Sequence, residues 1–145
     1  MQYLPTRPTE RAVMLDTSAV YALWDEADQW HARAASGFHQ LPSEQWRLYI
    51  TNLTVAENHG LLLSRFGYGK ASLWLDALRP LRVIYQTQED HEAIRSLLSE
   101  HEASRLSYVD AFSCVAMQKQ KLRLVFTFDR DFQDYGLEVF PGPLR

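Results

Sequence analysis

Four acidic residues, Asp16, Glu57, Asp110 and Asp129, carry the chemistry that this sequence can offer. Asp16 closes the apolar run AVMLD and Asp129 closes LRLVFTFD, so both read as carboxylates at strand ends. Glu57, in TNLTVAEN, and Asp110, in SYVDAF, read as acids in the first turns of helices. Gathered at one edge of a sheet, such groups would repel by roughly 1 kcal/mol per pair in water and about 4 kcal/mol at an effective dielectric near 20. A divalent cation resolves the repulsion. Mg²⁺ or Mn²⁺ accepts oxygen ligands, keeps several waters and can bridge carboxylates to a phosphate oxygen. One such ion activates water for attack on phosphorus, and a second stabilises the leaving oxygen. Phosphodiester hydrolysis is the reaction that best uses an all-carboxylate site with no obvious His, Cys or Lys nucleophile.

Each acid also has a plainer explanation. Thr54-Val55-Ala56-Glu57 and Ser107-Tyr108-Val109-Asp110 both have the spacing of a capping box, and taken singly capping is the better reading of each. Asp16 could lead into a helix capped by Ser18, and Asp129 could be a turn acid with Thr127 satisfying backbone nearby. Capping does not explain why all four fall at one sheet edge without matched Lys or Arg. His31, His59, His91 and His101 lack metal-ligand spacing, and His91 and His101 read as solvated. Trp24, Trp30, Trp46 and Trp74 read as core or interface anchors rather than base-stacking platforms.

The elements that must position these acids alternate. Strands are expected at 12–16, in RLYITN, in LRVIYQT, in LRLVFTFD and in LEVFP. Between them lie a helix from DTSAVYALW, a second over 28–37 ending at Gly37 before a Pro42 turn, and TVAENHGLLLSRFG with Val55, Leu62 and Phe66 on one side. Further helices are expected at 70–78, in EDHEAIRSLLSEHE with Ile94, Leu97 and Leu98 inward, and in SYVDAFSCVAMQKQ with a Val109, Phe112, Ala116 and Met117 stripe. Parallel strands need crossovers, which are usually helical, so the fold class is α/β: a three-layer sandwich with a five-stranded parallel sheet flanked by helices.

With 145 residues and 46% apolar content, the chain reads as one domain over 11–145 after a leader at 1–10. The opening MQYLPTRPTER looks like neither a signal peptide nor a membrane span. Cys114 is the lone cysteine, which excludes an intrachain disulfide, fits a reducing cytoplasm and reads as inert packing. A net charge of −3 argues against a protein that coats nucleic acid nonspecifically, while Arg7, Arg65 and Arg130 could still meet phosphates. A phosphatase of the haloacid dehalogenase type would want a second acid where Ser18 stands, and a receiver domain would want a lysine that the chain does not offer.

The segments VMLDTSAVYAL, TNLTVAEN, LSYVDAFSCVAM and VFTFDRDF, in that order, resemble the four motifs of the PIN domain nucleases, and within them the VapC toxins of prokaryotic toxin–antitoxin pairs. GLEVFP resembles the closing strand. The resemblance implies that Asp16, Glu57, Asp110 and Asp129 bind Mg²⁺ or Mn²⁺, with Thr17 or Ser18 and Thr127 supporting them by hydrogen bonds and Asp131 an outer acid or helix cap. It further implies an RNA substrate, homodimerisation and inhibition by a small antitoxin protein, while the lone cysteine and the absence of an apolar span point to a cytoplasmic location and no membrane association. A housekeeping PIN nuclease in RNA maturation and a catalytically idle PIN-fold binding module are the alternatives.

Overall fold

Continuous apolar runs buried on both faces become the strands of a parallel sheet, as expected where helices cover both sides. A computed structural model describes residues 11–41, 46–102 and 105–143. The elements run β1 (Ala12–Leu15), α1 (Thr17–Trp24), α2 (His31–Gln40), β2 (Arg47–Thr51), α3 (Asn52–Phe66), α4 (Tyr68–Asp76), β3 (Arg82–Ile84), α5 (Gln88–Glu100), α6 (Tyr108–Gln120), β4 (Leu124–Thr127) and β5 (Glu138–Pro141), with a 3₁₀ segment at Arg130–Tyr135. The leader and the Pro42 turn lie outside the described residues.

The sheet has the order β3-β2-β1-β4-β5, and every pairing is parallel. The chain builds outward from β1 through β2 to β3, then returns to lay β4 on the other side of β1. Strand order therefore reverses between β1 and β4, where an open parallel sheet leaves a crevice beyond its carboxyl ends. Asp16 directly follows β1, and its N–H extends the ladder to the Phe126 carbonyl at 3.0 Å.

Alternation along β1 feeds two cores. Ala12 and Met14 join α5, α6 and Phe132 on one face. Val13 and Leu15 join α1 to α4, Phe126 and Phe140 on the other. Helix α6 is buried continuously from Ala111 to Met117, so it is a central helix and not the one-sided stripe expected. Trp74 is buried and meets Trp24 edge-on at 5.7 Å, and Trp30 stacks on Phe128 at 5.1 Å, which makes these rings packing anchors.

Three local expectations are corrected. Helix α2 begins at His31 and continues past Gly37 to Gln40. Gly37 is a contact point, because a Cβ there would lie 2.9 Å from Pro141 Cγ. Helix α3 begins three residues earlier than its Thr54 cap would require, since the Thr51 hydroxyl at the end of β2 accepts the Thr54 N–H at 3.1 Å. Phe66 is 41% exposed and does not join Leu62 in the core; Lys70 Nζ lies over its ring at 4.2 Å.

Candidate active site

Asp16 is itself the N-cap of α1, a role expected of Ser18. Its extended backbone follows from the strand it ends, and its carboxylate is buried, with 3% of the residue exposed. One oxygen, Oδ2, accepts the Thr127 hydroxyl at 2.7 Å, the Ser18 hydroxyl at 2.8 Å and the Ser18 N–H at 3.3 Å. The hydroxyls are oriented in turn. Asp129 N–H donates to Thr127 Oγ1 at 3.0 Å and Phe128 N–H donates to Ser18 Oγ at 3.1 Å. The ends of β1 and β4 are thus tied through two hydroxyls. Thr17 takes no part in this network; its Oγ1 is buried without a hydrogen-bond partner.

Asp110 occupies the first turn of α6 and closes a full capping box: it accepts the Ser107 N–H at 3.1 Å, and Ser107 Oγ accepts the Asp110 N–H at 3.2 Å. Asp129 caps the 3₁₀ segment by accepting the Asp131 N–H at 2.8 Å. Asp131 lies in that first turn and does not act as the cap. Burial first, then the Asp110 charge, raises the Asp16 carboxyl from 3.8 to about 7. Asp129 is raised by burial first and then by the charges of Asp131 and Asp110, against the Asp131 N–H bond and Arg105, which oppose the rise. Asp110 is therefore the hub, felt electrostatically by both strand-end acids. The Cys114 thiol, one turn further along α6, is pushed up to about 12 by burial and then by Asp110 and Asp16, which makes it inert at neutral pH.

Glu57 stands apart. With α3 starting at Asn52, it falls in the second turn rather than the first, is exposed, and makes no capping bond. The capping explanation of Glu57 is overturned, because Thr51 and not Thr54 is the cap. Among the described residues, no three His, Cys, Asp or Glu side chains are grouped closely enough to hold a metal ion as they stand. The donor chemistry nonetheless fits a small hard cation: the acids offer only oxygen, Asp16 keeps Oδ1 outside its hydrogen-bond network, and Asp110 adds a second negative charge that Asp16 feels. Mg²⁺ needs only one or two protein carboxylates because it retains waters, so a three-acid cage is not required.

The contact that sequence reasoning missed is at Tyr108, two residues before Asp110. Its hydroxyl accepts from Gln86 Nε2 and lies 2.9 Å from His91 Nδ1, although His91 reads from sequence as merely solvated. Only its place inside the third motif hinted at it.

The PIN domain model matches residues 13–137, a span that includes all four acids and the sheet from Val13 of β1 through β4, and stops just before β5. The chain belongs to the PIN domain family. Its PIN fold is similar to the crystal structure of VapC20 of Mycobacterium tuberculosis, a sarcin-ricin loop cleaving toxin. That likeness covers 86% of this chain and 95% of the other at 27% identity, with a TM-score of 0.77. FitAcB from Neisseria gonorrhoeae aligns over 88% of this chain and 96% of its own at 20% identity and a TM-score of 0.64. A toxin–antitoxin complex from Klebsiella pneumoniae aligns over 92% and 96% at 19% identity and a TM-score of 0.64. These two share the fold. No curated protein sequence matches the chain.

Proposed function

We propose that this PIN domain is a divalent-metal-dependent ribonuclease that hydrolyses RNA phosphodiester bonds as the toxin of a toxin–antitoxin pair. The observation that carries the reading is the buried Asp16 carboxylate at the switch point, bound by two hydroxyls and raised first by its burial and then by the charge of Asp110. Asp16, Asp110 and Asp129 would hold Mg²⁺ or Mn²⁺, with Glu57 the fourth acid, its exposed side chain free to reach inward. Bound there, the ion would offset the clustered negative charge and activate water for attack on phosphorus. Ser18 and Thr127 keep Asp16 Oδ2 occupied and so leave Oδ1 as its free donor. Arg105, which is felt by Asp129, and Arg130 are exposed and supply positive charge for the phosphates on either side of the cleaved bond.

The same reading assigns a small antitoxin protein as partner, a homodimer as the working form and the cytoplasm as the location. Toxin–antitoxin complexes among the structural neighbours support the partner. Leu61, Leu63, Phe66, Tyr68 and Leu73 are exposed on α3 and α4 and supply apolar surface of the kind that protein partners bury. No helix among the described residues is long and apolar enough to cross a membrane.

The test uses purified chain, labelled RNA and Mg²⁺ or Mn²⁺. Cleavage is expected to vanish with a chelator and in Asp16→Asn and Asp110→Asn, each still folded by circular dichroism. Mn²⁺ is expected to raise the melting temperature of the wild type but not of Asp16→Asn. Expression of the wild type alone should arrest growth, with rescue by a protein encoded beside it. Undiminished cleavage in both variants would sink the site. The rival reading, an idle binding module, predicts neither cleavage nor a melting response to Mn²⁺.

A further inference from the structure

Beside the acids, on the same carboxyl edge of the sheet, stands an exposed side-chain cluster that neither core packing nor capping requires. Tyr108 is the first residue of α6, 36% exposed, and shares its helical turn with Asp110. Its hydroxyl is tied on two sides, accepting from Gln86 and meeting His91 Nδ1 at 2.9 Å, while the His91 ring lies tilted at 5.9 Å from the Tyr108 ring. Gln86 follows the end of β3 and is itself fixed, its N–H donating to Asn52 Oδ1 at 3.1 Å. Three elements therefore converge on one tyrosine. Next to Gln86, Tyr85 leaves 70% of its surface in solvent.

Holding surface side chains in one geometry costs rotamer entropy, and exposed hydrogen bonds return little stability. A tethered, solvent-facing aromatic ring is instead what a stacking platform requires: the ring orientation is set before the ligand arrives. Bases of any identity stack on such rings, and only unpaired bases can be splayed out to do so. We propose that Tyr108, held by Gln86 and His91, stacks an unpaired base next to the phosphate cleaved at the acidic site. The inference rests on the ribonuclease reading and adds to it a residue that binds the substrate. Tyr108 binds substrate; Gln86 and His91 are positioning residues. Tyr85 marks where the neighbouring nucleotide would run.

The test measures binding by fluorescence anisotropy with Ca²⁺ in place of Mg²⁺, using a short labelled single-stranded RNA of mixed sequence and the same RNA as a duplex. Tyr108→Ala is expected to weaken single-strand binding on the order of 10- to 100-fold and leave duplex binding unchanged. Tyr108→Phe, which keeps the ring and loses the tether, should fall between. An abasic site moved along the strand should at one position cost the wild type as much as Tyr108→Ala does, and cost Tyr108→Ala nothing further. Additive losses at every position, unchanged binding in Tyr108→Ala, or a defect confined to capture of the antitoxin would overturn the stacking role. Wild type that neither binds nor cleaves RNA defeats the ribonuclease reading instead, and the shelf with it; wild type that cleaves while Tyr108→Ala binds normally defeats the shelf alone.

Discussion

At Asp16 three donors converge on one oxygen, and two of them are hydroxyls whose own oxygens receive backbone N–H groups. That arrangement brings both hydroxyls onto Asp16 Oδ2, with their oxygens 3.1 Å from each other. Thr127 is fully buried, so Thr127→Val keeps the shape while stripping a donor from Asp16 and orphaning the Asp129 N–H. We expect it to destabilise the fold by about 1–3 kcal/mol in urea unfolding, the cost of leaving buried polar groups unpaired. Because the Thr127 bond lowers the Asp16 pKa, its loss also favours the protonated acid. RNA cleavage should then fall most at limiting Mg²⁺, and an unchanged Mg²⁺ dependence would refute this positioning role. The strand-end acids are legible in the sequence because each terminates an apolar run. The hydroxyl tie is not, since Ser18 and Thr127 stand 109 residues apart and only the β1–β4 pairing brings them together.

Among the elements, strands are read well and helix ends poorly, for reasons visible at two residues. Thr51 and Thr54 are both plausible caps, and local spacing to Glu57 favours Thr54. The strand decides for Thr51, because β2 ends there and leaves it extended with its hydroxyl facing the new helix. That shift of three residues moves Glu57 out of the first turn and away from the cap, so its place in the site depends on tertiary context. Gly37 carries the opposite lesson. A glycine after an amphipathic stretch suggests a helix end, yet α2 runs through it because the helix packs tightly on β5, where Arg33 Nη2 also donates to the Pro141 carbonyl at 2.8 Å. Alanine at an exposed helical glycine gains about 1 kcal/mol of propensity. Here its Cβ would fall 2.9 Å from a proline ring, and overpacking of that kind costs about 1–3 kcal/mol. Gly37→Ala is therefore expected to lower the melting temperature, and a rise would show that α2 can slide off β5 without loss.

Across the whole molecule, buried carboxylates divide by the company they keep. Asp25, at the end of α1, is bound by the Tyr21 hydroxyl at 2.7 Å and by Arg65 from α3 at 3.2 Å. Asp90 joins α5 to α6 through Lys119 at 2.6 Å and closes its own capping box with Thr87. Asp16, equally buried, faces another acid. Among the described residues, cations are thus placed on the acids that fasten helices and none pairs with Asp16, a division that composition cannot reveal because a net charge of −3 is silent on pairing. Stability against pH should separate the two classes. The Tyr21 bond chiefly, then the Ala27 N–H and Arg65, hold Asp25 below 3.8 against the cost of burial. Burial pushes Asp90 up, but Lys119 and Thr87 more than reverse it. A depressed folded-state pKa means that the unfolded chain binds more protons in that range, so this stability is complete above 3.8 and is lost as pH falls through the lower folded value. Asp16 has the opposite sign: with its pKa raised to about 7, its ionisation lowers the stability of the metal-free fold as pH rises from 3.8 towards 7. Urea midpoints followed down to strongly acid pH should therefore drop steeply below 3.8 in the wild type. In Asp25→Asn the midpoint should start lower at neutral pH and then fall less steeply. A limb of unchanged slope in both Asp25→Asn and Asp90→Asn would show that carboxylates other than these two helix fasteners govern acid unfolding.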